Sequence, residues 1–182
     1  GVRDEGMHPR VRYIRPHVDF YKVDLKSFND KSYRRLGATL EAVRETIANL
    51  VSMGFWVEVV TLLVTGFNDD ETELRELAGF LAEVSRDIPW HVTAFHPDYN
   101  MPDPPRTRPE QLVRAAEIGR EAGLRFVYCG NLPGQIGGGE DTRCPECRTT
   151  LIERVGFRVS SNRLTGEGVC PQCGCRVPGV WR

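Results

Sequence analysis

The stretch VEVVTLLV, residues 57–64, decides the fold class because apolar side chains occupy both sets of its alternating positions. Such a run is typical of a strand in a parallel sheet, with helices on one face and further packing on the other. It belongs to the second of four predicted strands, which lie near residues 19–25, 55–64, 91–95 and 125–129. Helical patterns separate these strands, so the sequence predicts an α/β fold with right-handed crossovers.

The helices are predicted from apolar residues at helical spacing between the strands. The first is expected to end at Gly54, a C-cap residue. The second is predicted to begin with a capping box of Asn68 and Glu71, and the third with one of Thr107 and Glu110. Four strands do not close a barrel, so we expect further sequence or a partner to cover one sheet edge.

Composition places the chain among globular proteins of one or two domains. It has 182 residues, 40% of them apolar, and a formal net charge of −1. The near-neutral charge argues against a general nucleic-acid binder, and no apolar run reaches the roughly 18 residues of a membrane span. Because the chain opens with Gly1 and with neither a targeting segment nor a clear element, we expect it to begin inside a longer protein.

The cysteines predict a metal centre. Five of the six lie in the last 39 residues, and four of them form two CxxC pairs with 22 residues between: Cys144 with Cys147, and Cys170 with Cys173. This is typical of a structural zinc site of four thiolates in a reducing compartment, which indicates the cytoplasm. An iron–sulfur cluster or redox pairs are the alternatives. Cys175 is interpreted as a bystander able to exchange as a ligand, and Cys129 as a small buried residue.

The domain boundary is predicted at a glycine-rich stretch, residues 131–140. We interpret it as a linker and not a phosphate-binding loop, because no helix follows it to supply a dipole and free amides. Residues 1–133 then form the α/β domain and residues 141–182 a zinc-ribbon-like domain, too short for a self-supporting apolar core. The ribbon is mildly basic, either as a solvated surface or as a face for an acidic partner, through Arg148, Arg154, Arg158, Arg163, Arg176 and Arg182.

Polar side chains follow the predicted strands at their carboxyl ends, where parallel α/β folds bind ligands. Asp24 and Lys26 share one face at the end of the first strand, and His96 follows the third. A structural ion pair and a loop histidine are the simpler interpretations. Thr65, Gly66 and Asn68 follow the second strand, Asp98 lies beyond the third, and Asn131 follows the fourth.

Glu58 lies within the second strand, on the same face as Val60, Leu62 and Val64. A glutamate on a buried strand requires a partner or a chemical task. We expect Lys26 to be that partner.

Several ordered blocks resemble one enzyme family over residues 11–182. They are YKVDLKSFND, EVVTLLVTGFNDDETEL, PWHVTAFHPDY, RFVYCGN and the two cysteine motifs TRCPEC and GVCPQCG, followed by PGVW. Together they resemble the radical S-adenosylmethionine (SAM) enzyme of the AmmeMemoRadiSam system, which is akin to the pyruvate formate-lyase activating enzymes.

The resemblance implies the C-terminal half of a partial (β/α)6 radical-SAM barrel, followed by the ribbon. It implies SAM bound across the strand ends and a [4Fe-4S] cluster whose electron cleaves SAM to methionine and a 5′-deoxyadenosyl radical for hydrogen abstraction. By the same resemblance, Asp24 is a cation or polar anchor and Lys26 a SAM contact. Val60 and Leu62 then point inward beside SAM, and His96 lies near it.

The chain also departs from the family pattern. The CxxxCxxC motif for the cluster and the Gly-Gly-Glu strand for the methionine amino group are absent from these 182 residues. Val64-Thr65-Gly66 stands where Ile-Pro-Gly is expected, and Arg148 stands where glycine is expected after CPxC. We therefore expect this portion to be inactive alone. The implied partners are a protein substrate, by analogy with activating enzymes, or Memo-like and AMMECR-like proteins.

Two other functions stay open at the level of sequence. One is an aldolase-like half barrel in which Lys26 forms a Schiff base. The other is a zinc-ribbon module that binds nucleic acid or protein.

Overall fold

The main body of the protein is a four-stranded parallel sheet with the order β1-β2-β3-β4. The computed structural model describes residues 9–100 and 102–181. The strands are β1 (Phe20–Asp24), β2 (Trp56–Leu63), β3 (Trp90–Ala94) and β4 (Val127–Gly130). The helices are α1 (Pro9–Ile14), followed by a 3-10 turn (Arg15–His17), α2 (Asp30–Arg35), α3 (Leu40–Ser52), α4 (Glu71–Val84) and α5 (Pro109–Glu121). The predicted parallel α/β sheet is confirmed, and each observed strand begins and ends within two residues of its predicted bounds.

The two faces of β2 differ, which the sequence did not predict. Val57, Val59 and Leu63 are buried beneath the helices. The opposite face, which carries Val60 and Leu62, is only half-buried, because the four strands form an open sheet that does not curl back to cover it. This open face at the carboxyl ends of the strands is where the candidate site lies.

Helix α5 approaches β3 closely through Gly119. A Cβ atom at this glycine would lie 2.8 Å from Cε3 of Trp90, a fully buried side chain. The indole Nε1 of Trp90 donates to Thr61 Oγ1 (2.9 Å), and that hydroxyl donates to the backbone oxygen of Leu25 (2.8 Å). A buried hydrogen-bonded path therefore joins β3 through β2 to the end of β1.

The helix starts differ from the predicted capping boxes. Helix α4 is capped by Asp70, whose carboxylate accepts from the amides of Thr72 and Glu73, and not by Asn68. Helix α5 has Arg108 at its N-cap, and Gln111 Oε1 accepts from the Arg108 amide at 2.9 Å. Asn68 and Thr107, which the sequence predicted as caps, are both buried. Their side chains form hydrogen bonds with backbone groups at the strand ends.

The cysteine-rich part forms a second, three-stranded antiparallel sheet with the order β5-β6-β7. Its strands are β5 (Thr142–Arg143), β6 (Thr150–Val155) and β7 (Arg158–Asn162). A small core of Leu151, Ile152, Val177 and two of the cysteines packs against Phe126, the residue before β4. The division into domains at residues 1–133 and 141–182 stays a prediction.

The glycine-rich stretch between the two sheets is packed and is not an extended tether. Ile136 lies against the main core, and the backbone oxygen of Gly139 accepts from the amide of Cys129 at 2.9 Å. None of the described helices combines the length and apolarity needed to cross a bilayer. Of the ribbon arginines named above, Arg182 lies outside the described residues.

Candidate functional site

The acid–base pair after β1 lies at the carboxyl edge of the sheet. Asp24 accepts from two ammonium groups, with Oδ1 3.0 Å from Nζ of Lys22 and Oδ2 3.1 Å from Nζ of Lys26. Burial tends to raise the pKa of Asp24, but the bonds to Lys22 and Lys26 outweigh it and hold the pKa below its ordinary value. The side chains of Asp24 and Lys26 are 40% and 49% exposed, so a ligand can reach both.

The backbone of Lys26 is fixed on both sides. Its amide donates to the hydroxyl of Tyr33 at 2.8 Å, and its carbonyl accepts from Nδ2 of Asn68 at 2.7 Å. Tyr33 is buried on the short helix α2, so the turn after β1 has a rigid support. Lys26 is therefore presented from a fixed backbone even though its side chain is exposed.

Asn68 joins the ends of β1 and β2. Besides holding Lys26, its Nδ2 donates to the Leu62 carbonyl at 2.9 Å, and its Oδ1 accepts from the Val64 amide at 2.7 Å. Sequence reasoning placed Asn68 at this strand end but gave it the role of a helix cap. The sequence signal for its actual role is a side-chain amide, which can both donate and accept hydrogen bonds, directly after a strand.

The apolar residues proposed beside SAM lie on the face that carries Asp24. Asp24 pairs with Val60 in the register of β1 and β2, and Leu62 lies two residues further along the same face of β2. Both are half-buried. An acidic group, a basic group and an apolar surface thus adjoin one another at the end of two strands.

His96 lies beyond the end of β3 and is exposed. Because β2 separates β1 from β3, His96 is two strands from Asp24, or about 10 Å at ordinary strand spacing. Only a ligand that spans the sheet end would contact both residues.

The expected pairing of Glu58 with Lys26 is wrong. Glu58 Oε2 lies 2.8 Å from Nε2 of His91, and its Oε1 accepts from Nε1 of Trp56 at 3.0 Å. The pairing with Lys26 fails because Glu58 lies near the start of β2, whereas Lys26 follows the end of β1. Glu58 therefore belongs to the opposite end of the sheet from the candidate site.

The four paired cysteines converge. The sulfurs of Cys144, Cys147, Cys170 and Cys173 all lie within 4.8 Å of one another. Two of the separations, Cys144–Cys173 and Cys147–Cys170, are 3.6 and 3.7 Å. Tetrahedral zinc with Zn–S bonds of about 2.3 Å requires sulfurs about 3.8 Å apart, so this donor set fits a closed metal site.

The other thiols lie outside this cluster. Cys175 is half-buried and its Sγ donates to the Arg176 carbonyl, 3.5 Å away. Cys129 is buried, and burial raises its pKa to about 11, which leaves it protonated and unreactive at neutral pH. Within the cluster, the Thr149 hydroxyl and amide lower the pKa of Cys147 to about 6, which favours the metal-binding thiolate.

Three of the ribbon arginines are engaged within the chain. The guanidinium of Arg154 lies 5.6 Å from the Tyr128 ring centroid, Arg163 pairs with Glu153 at 2.7 Å, and Arg176 pairs with Glu167 at 3.3 Å. The two ion pairs offset part of the positive charge of the ribbon, which the sequence interprets either as a solvated surface or as a face for an acidic partner.

Comparison with solved structures supports the parallel α/β fold described above. No protein-family model matches the chain. A domain of a pyruvate-formate lyase-activating enzyme from Bacteroides vulgatus superposes with a TM-score of 0.59, at 20% sequence identity, over 66% of this chain and 73% of that one. The two chains share a fold.

A second comparison is by sequence. The chain is 39% identical over 162 residues to an uncharacterized protein, MJ0808, of Methanocaldococcus jannaschii. The match takes in 88% of this chain but 48% of that protein, so the chain spans about half the length of the curated relative it matches. The activity of any longer protein is therefore a matter of proposal.

Proposed function

We propose that this chain is the C-terminal portion of a radical SAM enzyme resembling the glycyl-radical-activating enzymes, as in the AmmeMemoRadiSam system. The observation that carries the proposal is the Asp24–Lys26 pair on a fixed backbone, at the carboxyl end of a parallel sheet. The fold shared with an activating-enzyme domain supports it. The barrel of the whole enzyme would be completed by strands outside these 182 residues.

The residues at the strand ends fit the chemical groups of SAM. Lys26 would donate to its carboxylate, a charge-assisted hydrogen bond. Asp24 would hold a cation or a polar group, and the half-buried Val60 and Leu62 would contact the nucleoside. His96 would contact SAM across the sheet end.

Bound together, SAM and a reduced [4Fe-4S] cluster supply a 5′-deoxyadenosyl radical for hydrogen abstraction. The cluster ligands would come from outside this chain, because the sulfurs of the four clustered cysteines lie within 4.8 Å of one another, as ligands of a single metal ion do. This chain would then bind and orient SAM, and by itself would be inactive.

The four-cysteine centre would hold a structural zinc ion. A closed set of four thiolates leaves no position for a substrate, so the metal stabilises the small sheet around it. Such a site fits a reducing compartment, and we propose a cytoplasmic protein on that ground. The hydrogen donor would be a protein substrate, or the enzyme would act with Memo-like or AMMECR-like partners.

The alternative functions have less support. A Schiff-base lysine is usually desolvated so that its amine is neutral. Lys26 instead lies exposed beside the Asp24 carboxylate. A nucleic-acid-binding ribbon is disfavoured because Arg154, Arg163 and Arg176 are engaged within the chain.

The test is the formation of 5′-deoxyadenosine from SAM under dithionite. A longer protein, containing this chain and a CxxxCxxC segment, should form 5′-deoxyadenosine, whereas the 182-residue chain should form none. Formation by the 182-residue chain would contradict the proposed division of the site. Its absence from the iron-loaded longer protein would contradict the enzyme class.

A further inference from the structure

A second concave site lies away from the strand ends, between α5, β4, the glycine-rich stretch and the first cysteine knuckle. Its cavity has a volume of about 360 Å³. That is within the range of about 300–1,000 Å³ typical of small-molecule sites. Its apolar walls include Val113, Ala116 and Ile136, and its polar groups are mainly arginines.

Three of the four arginines lining this cavity have no acidic partner among the described residues. Arg125 pairs with Asp87 at 3.0 Å. Arg120, Arg143 and Arg148 take part in no ion pair within the described part of the chain, although Asp141 also lines the cavity. Three cationic groups therefore line one concave surface that holds a single carboxylate, that of Asp141, and this excess of positive charge favours an anionic ligand.

Arg148 is placed there by a strained turn. In the second knuckle, Gly174 has φ +74° and its amide donates to the Cys170 carbonyl at 2.9 Å. Arg148 holds the equivalent position in the first knuckle, with φ +63° and its amide 3.0 Å from the Cys144 carbonyl. A left-handed conformation is unfavourable for any residue with a Cβ atom, so the backbone alone would favour glycine at both positions. The presence of arginine at this position therefore indicates that its side chain has a function.

On the other side of the cavity, the backbone of the glycine-rich stretch lies close to the side chain of Arg143. Gly138 has φ +71°, and a Cβ atom there would lie 3.1 Å from Oδ2 of Asp141 and 3.2 Å from a terminal nitrogen of Arg143. The amides of Gly137 and Gly138 take part in none of the hydrogen bonds among the described residues. The glycine-rich stretch thus lies close to Arg143, and the amides of Gly137 and Gly138 stay available as hydrogen-bond donors to a ligand.

We infer that this cavity binds a small organic phosphate ester, of about the size of a mononucleotide. Arg120, Arg143 and Arg148 would hold the phosphate, and the apolar wall would contact the organic part. A polynucleotide fits less well, because the net charge is −1 and two of the other ribbon arginines, Arg163 and Arg176, are paired with glutamates. The inference is independent of the radical chemistry proposed above, since the cavity includes no strand-end residue of that site.

The test is calorimetric titration of the zinc-loaded chain with AMP, inorganic phosphate and adenosine. We expect AMP to bind with a Kd below about 1 mM, phosphate to bind more weakly and adenosine to give no detectable heat. Arg148→Gly should weaken AMP binding about tenfold or more, since a hydrogen bond to a charged group is lost. The same substitution should leave the zinc content and the unfolding temperature unchanged or raised, because it relieves the left-handed arginine.

Arg158→Gln is the matched control, because it removes an equal charge from an exposed position of the ribbon. It should change AMP affinity less than about twofold. The inference is overturned if AMP does not bind, or if Arg148→Gly binds it as the unmodified chain does. It is also overturned if single-stranded oligonucleotides bind more tightly with length and lose affinity equally with Arg148→Gly and Arg158→Gln.

Discussion

Glu58 and His91 form a hydrogen-bonded pair diagonally across β2 and β3, with Oε2 2.8 Å from Nε2. The His91 ring stacks on Tyr128 at 5.1 Å between centroids, and Trp56 donates to the other carboxylate oxygen of Glu58. Burial alone would raise the pKa of Glu58, but the bond to His91 and the further contacts hold it below its ordinary value. The carboxylate thus stabilises the sheet in its ionised form.

This predicts an acid-sensitive contribution from Glu58 to the free energy of unfolding. A lowered folded-state pKa gives stability that is complete above the ordinary value, 4.5, and is lost as the pH falls through the folded value. At pH 7, Glu58→Gln should lower the free energy of unfolding by about 1.5–3 kcal/mol, since a charged hydrogen-bond acceptor is lost. Urea unfolding should show that difference shrinking below pH 4.5. Glu45→Gln, on the exposed face of α3, is the control, and equal pH dependence in both variants would contradict the assignment.

A second prediction concerns the contact between α5 and β3. Gly119→Ala should destabilise the fold by about 1–3 kcal/mol, because the new methyl group meets the buried Trp90 ring. Gly79→Ala, in α4 with open space around it, should instead stabilise by about 0.5–1 kcal/mol. Thermal unfolding of both variants measures this difference in sign, and two shifts in the same direction would contradict the close packing.

A third prediction concerns the support of the candidate site. Asn68→Ala should lower the free energy of unfolding by about 3 kcal/mol, since it leaves buried backbone groups unpaired at the ends of β1 and β2. The comparison variant is Asn49→Ala, on the exposed side of α3, which should change stability by less than about 0.5 kcal/mol. Urea unfolding at neutral pH compares the two, and a small effect at Asn68 would refute its role in joining the strand ends.

A fourth prediction concerns the metal. Elemental analysis should find about one zinc per chain, from the four-thiolate count. Cys170→Ser should lose the metal and unfold the small sheet, as near-ultraviolet circular dichroism would show, because the buried core there includes the ligands. Cys175→Ser should keep both the metal and the spectrum. Bound iron with visible absorption would overturn the zinc assignment.

The sequence predicted those features that depend on local pattern. Strand positions and parallel pairing follow from apolar runs separated by amphipathic helices, and the clustering of four cysteines follows from two CxxC turns. These patterns can be recognised without knowing the register of neighbouring strands.

The wrong predictions all depended on such tertiary knowledge. Asn68 and Asp70 both suit a helix cap. Asp70 is the cap because the side chain of Asn68 forms hydrogen bonds with backbone groups at the ends of β1 and β2. The partner of Glu58 depended on register, which puts His91 beside it and Lys26 at the far end. The arginine-lined cavity joins four separate segments, so no single motif indicated it.

The most direct test of the central claim is the SAM affinity of the longer protein with and without the Lys26 side chain. Lys26→Ala should weaken equilibrium binding of SAM about tenfold or more, because the cationic donor to the SAM carboxylate is lost. Lys31→Ala, an equal change of charge on α2, should leave the affinity unchanged within about twofold. Equal affinities for the two variants would contradict a SAM site at the carboxyl ends of these strands.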